Sequence, residues 1–565
     1  MAGSFDNRDL DFQSWPPGTI QIEDLCGGRY DKIILHPAPS TDPNDPLNWS
    51  KPRKSLNFGL TCYYTLMVFV LVAISTVIYG PLMTEFGFDI EVLNEGFGAN
   101  TAGLAVGCVL FIPLALKFGR RPVYLVSFTM SLATAIWQAR LRTAGDVYGA
   151  NVVSGLGGSV AQTICQMTIS DLFYVHQRAT ANGAYIAIVT TGTFLGPVAA
   201  GYITDSQGWR WIWWWTAIFL GVGLVAFIFF YEETKYIPLI DAHGPPSARD
   251  SASNFAVSAA SAGDEGTPVL RHAEEAREGD KDLESGVQKC DTEAPTVVMT
   301  RTVVREVKLT PYSQRLRLLT VTPGGFKDLI RHTWQPFVVL FTTPAVAYTS
   351  LINGSLLAWV TVLLSVFSTY LTLPPYNFST SAVGLMNVAP FIGSFLGSAY
   401  GGVLSDFHII RLSQKNNGIY EPEMRFWLAL PWLVITPLSL LMFGLCLTHS
   451  LPWISLAIAL VIFGAGLNVF NAIALTYLID SYRNIVGDSL VAVTFVGDAL
   501  ASAVAMSLSP WIKGTGLNTV FVICTVVSTV VFLTTIPMMI WGKAFRARTA
   551  KRYAMMAQRQ FNANR

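Results

Sequence analysis

Charged residues are scarce in this chain of 565 residues. Only 13% of its residues are charged, and its formal net charge at pH 7 is +1. A soluble domain usually carries about 25% charged residues, so this composition disfavours a soluble protein. Since no block of basic residues occurs either, a nucleic-acid partner is not indicated. The hydrophobic content is correspondingly high, at 52%, which is typical of a chain that lies in a bilayer.

Residue patterns that an enzyme or a metal protein would need are absent as well. The seven cysteines form no close pair and five of them lie in apolar runs, so neither a disulfide framework nor a zinc site is predicted. All seven histidines lie outside the centres of the apolar runs. The pattern G-x-x-x-x-G-K-S/T, which cradles nucleotide phosphates, does not occur. We therefore expect no metal, no cofactor and no enzymatic activity.

What the chain does contain is a series of twelve long apolar runs. A helix rises 1.5 Å per residue, so about 20 apolar residues cross the hydrocarbon core of a bilayer. The predicted spans are roughly 57–80, 97–116, 122–140, 147–169, 183–204, 211–231, 336–370, 383–404, 426–447, 453–477, 489–510 and 519–541.

A polar insert divides these runs six and six. This division predicts two six-helix halves around a central loop, which is the plan of many secondary transporters. The expected fold class is an all-α membrane protein with 12 transmembrane helices. The expected segments are an N-terminal tail at 1–56, halves at 57–231 and 336–541, the loop at 232–335, and a C-terminal tail at 542–565.

Lysine and arginine concentrate on one side of the predicted spans. The loop 80–96 on the other side holds four acidic residues and no Lys or Arg. By the positive-inside rule, both termini and the central loop are expected in the cytoplasm. The first 50 residues lack an apolar core after a basic start, so no cleavable signal peptide is predicted. We expect a multi-pass protein of the plasma membrane, with the vacuolar membrane as the alternative.

The central loop divides into two parts. Residues 243–295 are rich in Ala, Ser, Gly, Glu and Asp and cannot bury enough apolar surface to fold alone, so we expect disorder there. Residues 311–333 mix apolar with basic residues and could form a helix at the membrane surface. The loop is either a regulatory segment or a tolerated linker, and the second interpretation is favoured because loops accept insertions at little cost.

A short motif follows the second span, where Gly119, Arg120 and Arg121 occur in succession. They match the end of the pattern G-x-x-x-D-R-x-G-R-R, which is typical of the loop between helices 2 and 3 in the major facilitator superfamily. Leu116 stands in place of the Asp of that pattern. In the second half, Gly402 and Asp406 occupy the equivalent turn. The chain thus resembles this superfamily, and the resemblance implies gating loops. The alternative is that the arginines only anchor the topology.

The fifth span carries a second motif, made of Gly192, Gly196, Pro197 and Gly201. It is similar to the pattern G-x-x-x-G-P-x-x-G-G in helix 5 of antiporters from the same superfamily. Small residues at four-residue intervals allow a neighbouring helix to approach, and a proline removes one backbone donor. The resemblance implies a drug:proton antiporter.

Three further stretches resemble a fungal branch of these antiporters that includes polyamine and cation transporters. They are residues 45–50, 209–211 and 477–483. Asp171 with Arg178 resembles the turn after helix 4, and the overall resemblance covers residues 45–545 apart from the central loop. Asn151 stands where helix 4 of many drug antiporters carries an arginine, so no membrane-embedded arginine is available there for proton coupling.

Asp498 differs from the other carboxylates because it lies in the middle of the eleventh span. A charge at that depth is costly unless it faces a cavity or is neutralised, which makes the residue a functional candidate. The functional hypothesis is that Asp498 carries the coupling proton or attracts a cationic substrate. The alternative is a structural carboxyl that is hydrogen-bonded to a neighbouring hydroxyl or amide.

Other polar side chains on the spans could line a substrate cavity. In the fourth span, Asn151, Gln162 and Gln166 lie on one helical face. The full set of candidates is Tyr64, Asn151, Gln162, Gln166, Tyr348, Asn353, Asn468 and Asn471. Amides and hydroxyls also hold helices together, so a packing role is about as plausible for each residue.

These patterns favour a proton-coupled secondary transporter that exports a small organic molecule, such as a drug, a toxin or a secondary metabolite, by alternating access. Uptake or antiport of polyamines or other cations is the alternative within transport. A non-transporting membrane receptor is the alternative from another class. The expected partners are a small-molecule substrate, protons and the lipid bilayer, and the expected oligomeric state is a monomer.

The predicted topology makes N-glycosylation a test of orientation. Sequons occur at Asn48, Asn353 and Asn377, and only Asn377 falls in a predicted outside loop. We expect a glycan at Asn377 alone, so the mobility shift caused by endoglycosidase should disappear in the Asn377→Gln variant. A glycan mapped to Asn48 would contradict the assigned orientation.

Overall fold

The computed structural model describes residues 16–21, 42, 44–236, 311–321, 326–416 and 418–558, and the structural statements below concern those residues. The stretch 243–295, for which disorder was predicted, lies outside them. The prediction of a surface helix over 311–333 is only partly matched, because the helices described there are Tyr312–Arg315 and Phe326–Thr342.

Six long helices form the N-terminal half. They are α1 (Lys51–Ala73), α2 (Ile90–Phe118), α3 (Arg120–Ala139), α4 (Ala144–Leu172), α5 (Val175–Gln207) and α6 (Trp209–Phe230), with a short helix Tyr79–Phe86 between α1 and α2. Local signals explain their limits. Thr143 and Asp146 form a capping box at the start of α4. Gly119 joins α2 to α3 with a φ of 106°, a backbone conformation that favours glycine.

Six more helical passages form the C-terminal half. They are α7 (Pro344–Tyr370), α8 (Thr380–Lys415), α9 (Trp432–Thr448), α10 (Trp453–Ser481), α11 (Val486–Thr515) and α12 (Leu517–Leu533). The helix Phe326–Thr342 precedes α7, the 3₁₀ helix Pro422–Ala429 precedes α9, and the helix Thr535–Gln558 follows α12. Passage α8 is composite, because a π-helical turn at Tyr400–Leu404 separates Val388–Ala399 from Ser405–Lys415.

Nine of the described helices are long and apolar enough to cross a membrane, or ten if Pro422–Ala429 and Trp432–Thr448, bent by 41°, count as one span. Helices α3 and α4 complete the series of twelve passages that the sequence predicts. Both contain Ser, Thr and Gln among their apolar residues, which lowers their hydropathy. The prediction of an all-α membrane fold is confirmed. A two-residue antiparallel pairing of Ile20–Gln21 with Ile419–Tyr420 is the β-structure of the described residues.

Close helix crossings recur at equivalent places in the two halves. In the N-terminal half, α2 and α4 approach so closely that a Cβ on Gly155 would overlap the carbonyl oxygen of Asn100. In the C-terminal half, a Cβ on Gly393 of α8 would overlap the carbonyl oxygen of Val461 in α10. Small residues at such crossings are what membrane helices use to pack backbone against backbone.

The two halves are packed together at one end of the bundle. We call the end where α1 begins and α12 finishes the termini end, and the opposite end the far end. At the far end, Asn94 Nδ2 donates to Ser509 Oγ at 2.9 Å, and Lys513 Nζ lies 2.7 Å from Glu91 Oε2. The amide of Ser381 also donates to Asp205 Oδ2 at 2.9 Å. The structure therefore represents a state that is closed at the far end.

Candidate functional site

Asp498 lies deep in the bundle, between the two halves. It is about 18 Å along the axis from the first residue of α11 and is 1% exposed. Gln162 Nε2 of α4 donates to Asp498 Oδ1 at 3.4 Å. Asp498 Oδ2 has no hydrogen-bond partner among the described residues. A buried oxygen without a partner is costly, so this carboxyl is suited to bind a proton or a cation.

Two amides of the C-terminal half form a pair next to Gly497, the residue before Asp498. Asn353 Nδ2 of α7 donates to Asn471 Oδ1 of α10 at 3.2 Å. The Oδ1 atom of Asn353 is next to Gly497, since a Cβ built on Gly497 would lie 2.9 Å from it. Asn353, Asn471 and Gln162 are all half-buried. The structure thus places four of the polar residues that the sequence predicts for the central site in two pairs near residues 497–498, Gln162 with Asp498 and Asn353 with Asn471.

Gln166 lies one turn beyond Gln162 on α4. The other predicted cavity residues lie away from Asp498. Tyr64 is fully buried among Tyr124, Phe128 and Phe227 and hydrogen-bonds to Ser127, so it belongs to the core of the N-terminal half. The same holds in the C-terminal half for Tyr348, whose hydroxyl lies 3.0 Å from Thr535 Oγ1.

Two asparagines that were predicted to line the cavity join helices within one half. Asn151 is buried at the contact of α4 with α2, where its backbone carbonyl accepts a hydrogen bond from Asn100 Nδ2 at 3.2 Å and its own Nδ2 donates to the Val147 carbonyl at 2.9 Å. Asn468 Nδ2 donates to the carbonyl of Ser394 at 2.9 Å, across the equivalent contact of α10 with α8. For these two residues the structure favours the packing interpretation.

The predicted gating loop of the N-terminal half is the centre of a polar cluster at the termini end. Arg120 Nε lies 3.0 Å from Asp171 Oδ2, which joins the start of α3 to the end of α4. The carboxylate of Glu233, just beyond α6, accepts hydrogen bonds from the amides of Arg120 and Arg121 at 2.9 and 3.0 Å. Gly119 makes this contact possible because a Cβ there would overlap the Glu233 carboxylate.

Lys235 completes this cluster. Its Nζ donates to the carbonyls of Lys117 and Thr320, at 2.9 and 3.0 Å. Burial is the main cause that lowers the pKa of Lys235 to about 8; the neighbouring Arg120 guanidinium acts in the same direction, and Glu233 and Asp171 oppose it. Lys235 and Glu233 escape a sequence search for spans and motifs because they follow the sixth apolar run as an ordinary charged tail.

The C-terminal half holds a counterpart that sequence reasoning missed. Arg425 Nε lies 3.1 Å from Asp480 Oδ2, and Tyr420 donates to the same oxygen at 2.6 Å. Asp480 lies near the end of α10, as Asp171 does near the end of α4, and Arg425 precedes α9 much as Arg120 begins α3. Aligning the two halves residue by residue could have revealed Arg425.

The three other predicted gating residues are Gly402, Asp406 and Arg178. Gly402 and Asp406 were expected in a turn, but the backbone there is helical, with Gly402 in the π-helical turn and Asp406 in Ser405–Lys415. The helix continues because residues 405–415 contain neither glycine nor proline, the residues that most disfavour a helix interior. The side chains of Asp406 and Arg178 lie outside the described residues.

The antiporter motif of α5 runs along two helix contacts. A Cβ on Gly192 would lie 2.9 Å from the carbonyl oxygen of Leu66, and one on Gly196 would lie 3.1 Å from a Val70 methyl, so this part faces α1. A Cβ on Gly201 would lie 2.8 Å from the carbonyl oxygen of Thr380, at the start of α8. The carbonyl oxygen of Pro197 packs against Gly384 of α8, where an added Cβ would lie 2.7 Å from that oxygen. The motif therefore joins α5 both to its own half and, at the far end, to the other half.

A buried ion pair fixes the helix that follows α12. Arg546 is 0% exposed, and its Nε and Nη2 atoms donate to the two carboxylate oxygens of Glu423 at 2.8 and 2.6 Å. This bidentate geometry is the strongest form of such a pair. The sequence gives no hint of it, because Arg546 belongs to a basic tail whose pattern indicates exposed topology anchors.

Breaking the N-terminal gating pair provides a test of its role. We expect Arg120→Ala and Asp171→Asn each to lower the initial transport rate about tenfold at equal surface expression. This loss corresponds to about 1.4 kcal/mol of interaction between the two side chains. Because the two side chains form one interaction, the double variant should be little slower than the slower single variant. Arg142→Ala, which removes an exposed arginine at the far end, is the control. Unchanged rates in the Arg120 and Asp171 variants would leave these residues as topology anchors only.

Two six-helix halves around a central polar site are the plan of many secondary membrane transporters. The sequence profile of the Major Facilitator Superfamily matches residues 58–484, which is more than half of the chain. The chain therefore belongs to the Major Facilitator Superfamily, and it is a multi-pass membrane protein of that family.

Several curated proteins are similar over most of their length. A Schizosaccharomyces pombe protein described as an uncharacterized MFS-type transporter is 30% identical over 540 residues, which cover 92% of this chain and 89% of that protein. Protein HOL1 of Saccharomyces cerevisiae is 28% identical, covering 92% and 91%. The probable efflux pump mfs2 of Aspergillus flavus is 23% identical, covering 73% and 86%.

The fold is also that of solved transporter structures. The crystal structure of a POT family transporter in complex with 5-aminolevulinic acid superposes with a TM-score of 0.56, at 11% identity, covering 88% of this chain and 98% of that one. At this identity the likeness shows the fold alone.

Proposed function

We propose that this transporter is a proton-coupled exporter of a small organic molecule and that it works by alternating access. The observation that carries the proposal is Asp498, a carboxyl buried at mid-depth whose partner, Gln162, belongs to the opposite half. An ionisable residue in such a place is a functional residue by default, because a purely structural role is served at lower cost by a neutral side chain.

The surroundings of Asp498 support a role in coupling. None of the described Lys or Arg residues forms an ion pair with Asp498, so no fixed cation neutralises it. A buried carboxylate without a cation is costly, and binding of a proton removes that cost. The residue is thus suited to exchange a proton, or a cationic group, once per transport cycle.

The hydrogen bond between Gln162 and Asp498 links proton binding to the movement of the halves. Gln162 lies on α4 and Asp498 on α11, so rocking of one half against the other changes their distance. A carboxylate accepts a hydrogen bond from an amide more strongly than a protonated carboxyl does. Protonation of Asp498 therefore weakens a contact between the halves and favours their separation at this depth.

Export as the direction rests on two observations. The residues Gly192, Gly196, Pro197 and Gly201 fit the antiporter pattern, and one of the relatives is described as a probable efflux pump. We place the termini in the cytoplasm and the protein in the plasma membrane, as a monomer. In that orientation the far-end-closed state is shut toward the outside.

A second candidate function, uptake or antiport of an organic cation, is favoured by the chemistry around Asp498. The carboxyl and the amide oxygens of Asn353 and Asn471 are acceptors, whereas the described residues place no cationic side chain in contact with Asp498. An ammonium group could replace the proton at such a site.

The experiment that tests both candidates combines metabolite comparison with reconstituted flux. Compounds that differ inside and outside cells with and without the protein would nominate substrates, and purified protein in vesicles would then be assayed with an imposed pH gradient. An exporter should accumulate a nominated compound when the gradient is present and lose accumulation when a protonophore collapses it. Flux that ignores the pH gradient would contradict proton coupling, and the absence of any flux would favour a receptor.

A further inference from the structure

The segment 16–21 binds to the C-terminal half although it precedes the first helix of the N-terminal half. Ile20 pairs with Tyr420, and Gln21 pairs with Ile419, in an antiparallel register. The buried Arg546 contributes as well, because its Nη1 atom donates to the carbonyl of Pro17 and to Thr19 Oγ1. Backbone pairing together with a buried arginine is the contact pattern of a peptide bound by strand addition.

One position of this segment accepts only glycine. Gly18 has a φ of 88°, and a Cβ there would lie 2.7 Å from the carbonyl oxygen of Asp480 and 2.8 Å from the Cα of Ser481. The segment therefore lies directly on the last turn of α10. Such close contact of backbone with backbone is specific to this sequence and is not expected of a tail that merely rests on the surface.

The bound segment touches the ion-pair cluster of the C-terminal half. Its partner Tyr420 donates to Asp480, which also binds Arg425. Its contact at Gly18 is with the backbone of Asp480 itself. Binding of the segment thus fixes the loop between α8 and α9, and the end of α10, in the arrangement seen here.

The polar cluster of the N-terminal half is also contacted by a segment that leads into the other half. The amide of Thr320 donates to the carbonyl of Phe118 at 2.9 Å, and the guanidinium of Arg121 donates to the carbonyl of Leu316. The segment 311–321 leads into the C-terminal half, yet it covers the cluster of the N-terminal half. Each polar cluster at the termini end is therefore covered by a chain segment that leads into the opposite half.

We propose that the segment 16–21 is an internal regulatory ligand that stabilises the far-end-closed state. The inference rests on the alternating access of the proposed function. Opening the far end by rocking requires the termini ends of the halves to approach each other. A peptide bound on the loop between α8 and α9 occupies space at that end, so its release should favour opening of the far end and speed the transport cycle.

Docking is tested by hydrogen exchange on the purified full-length protein. Deletion of residues 1–21, or the single change Gly18→Val, should speed exchange in the peptide that contains Ile419 and Tyr420, while exchange in α1 stays unchanged. Gly87→Val is the matched control, because Gly87 also has a positive φ, of 65°, but has no atom within 4 Å of an added Cβ. A synthetic peptide covering residues 12–25 should restore protection to the deletion variant. Equal exchange at Ile419 and Tyr420 in all variants would overturn the docking.

The preferred state is tested by the reactivity of a cysteine at the far end. Ser509 is 6% exposed at the contact with Asn94, so Ser509→Cys should react slowly with a soluble maleimide and faster once the far end opens. We expect the deletion and Gly18→Val to raise this rate about fivefold, the lower end of usual allosteric coupling. Arg142→Cys, exposed in every state, should react equally in all backgrounds, and the parent protein gives the background of the native cysteines.

These outcomes separate the two proposals. An unchanged labelling rate at Ser509→Cys in proteins that show the altered exchange would overturn the regulatory role. A raised rate in a protein that shows no pH-driven flux would support the regulatory role and count against proton coupling. If the deletion variant fails to fold, Gly18→Val decides both questions, because it leaves the chain length and the twelve helices intact.

Discussion

The Asp498→Asn variant should reach the membrane and exchange substrate, yet fail to concentrate it. A gradient of one pH unit can drive accumulation of about tenfold when one proton moves per substrate, since a factor of ten corresponds to about 1.4 kcal/mol. We expect the variant to bring the substrate only to about equal concentrations on the two sides of the membrane. The amide keeps the size and hydrogen-bonding capacity of the carboxyl but cannot release a proton, so substrate can still move down its own gradient. Flux into vesicles with and without an imposed pH gradient measures the difference.

Asp488 provides the control for this experiment. It is a second buried carboxyl of α11, but it lies in the first turn and accepts a hydrogen bond from Gln335 Nε2 at 2.8 Å. Asp488→Asn should retain pH-driven accumulation at equal expression. A neutral substrate should show only lost gradient dependence in Asp498→Asn, whereas a cationic substrate should also bind more weakly. Undiminished accumulation by Asp498→Asn would refute the proposed coupling and direct attention to Asp171 and Asp406.

Removing the Arg546 side chain should have the largest effect on stability. Arg546→Ala leaves the carboxylate of Glu423 buried without its cation, and breaking a buried pair in this way costs about 3–5 kcal/mol. That is a large fraction of the stability of a typical domain, so we expect low expression and a clearly lowered midpoint of thermal unfolding in detergent. Fluorescence-detected unfolding and size-exclusion chromatography of the solubilised protein are the measurements.

A neighbouring arginine and a double variant make this prediction specific. Arg548 lies two residues further along the same helix but is exposed, so Arg548→Ala should unfold at the same temperature as the parent protein. Arg546→Met combined with Glu423→Gln removes both charges and should recover part of the loss, because no unpaired ion remains. If Arg546→Ala unfolds at the temperature of Arg548→Ala, the pair contributes little to stability.

The helices could be predicted because hydropathy and length are properties of a local stretch of sequence. Twelve apolar runs correspond to α1–α12, and the all-α fold follows from them. The small residues of α5 lie at a close helix contact, as their spacing predicts, since Gly192 and Gly196 contact α1. Asp498 could be singled out for a related reason, because a lone carboxyl in an apolar run stands out from its neighbours.

The faces of the helices were harder to predict. Tyr64 and Tyr348 were expected to line a cavity, yet both lie in the aromatic cores of their halves. A tyrosine within an apolar run fits either environment, because its ring packs while its hydroxyl needs only one partner, here Ser127 and Thr535. The periodicity of a single helix does not reveal which neighbour each face meets when nearly every residue is apolar.

Long-range polar contacts could not be predicted at all. Arg546 contacts Glu423 across 123 residues of chain, and Ile20 pairs with Tyr420 across 400. Arginine in a tail and glutamate in a loop indicate exposed residues when each is considered by itself. Only the folded arrangement of the helices brings them into a buried site.

The contact between the segment 16–21 and Arg546 also bears on how the protein is made. Synthesis proceeds from the N-terminus, and membrane proteins insert their helices as the chain emerges. The segment 16–21 is therefore produced before α1, while Glu423, Asp480 and finally Arg546 are produced long afterwards. The segment can bind Arg546 only after α1–α12 have been translated. The complete set of its contacts therefore forms late in biogenesis, and a polypeptide truncated before Arg546 would lack the side chain that binds Pro17 and Thr19.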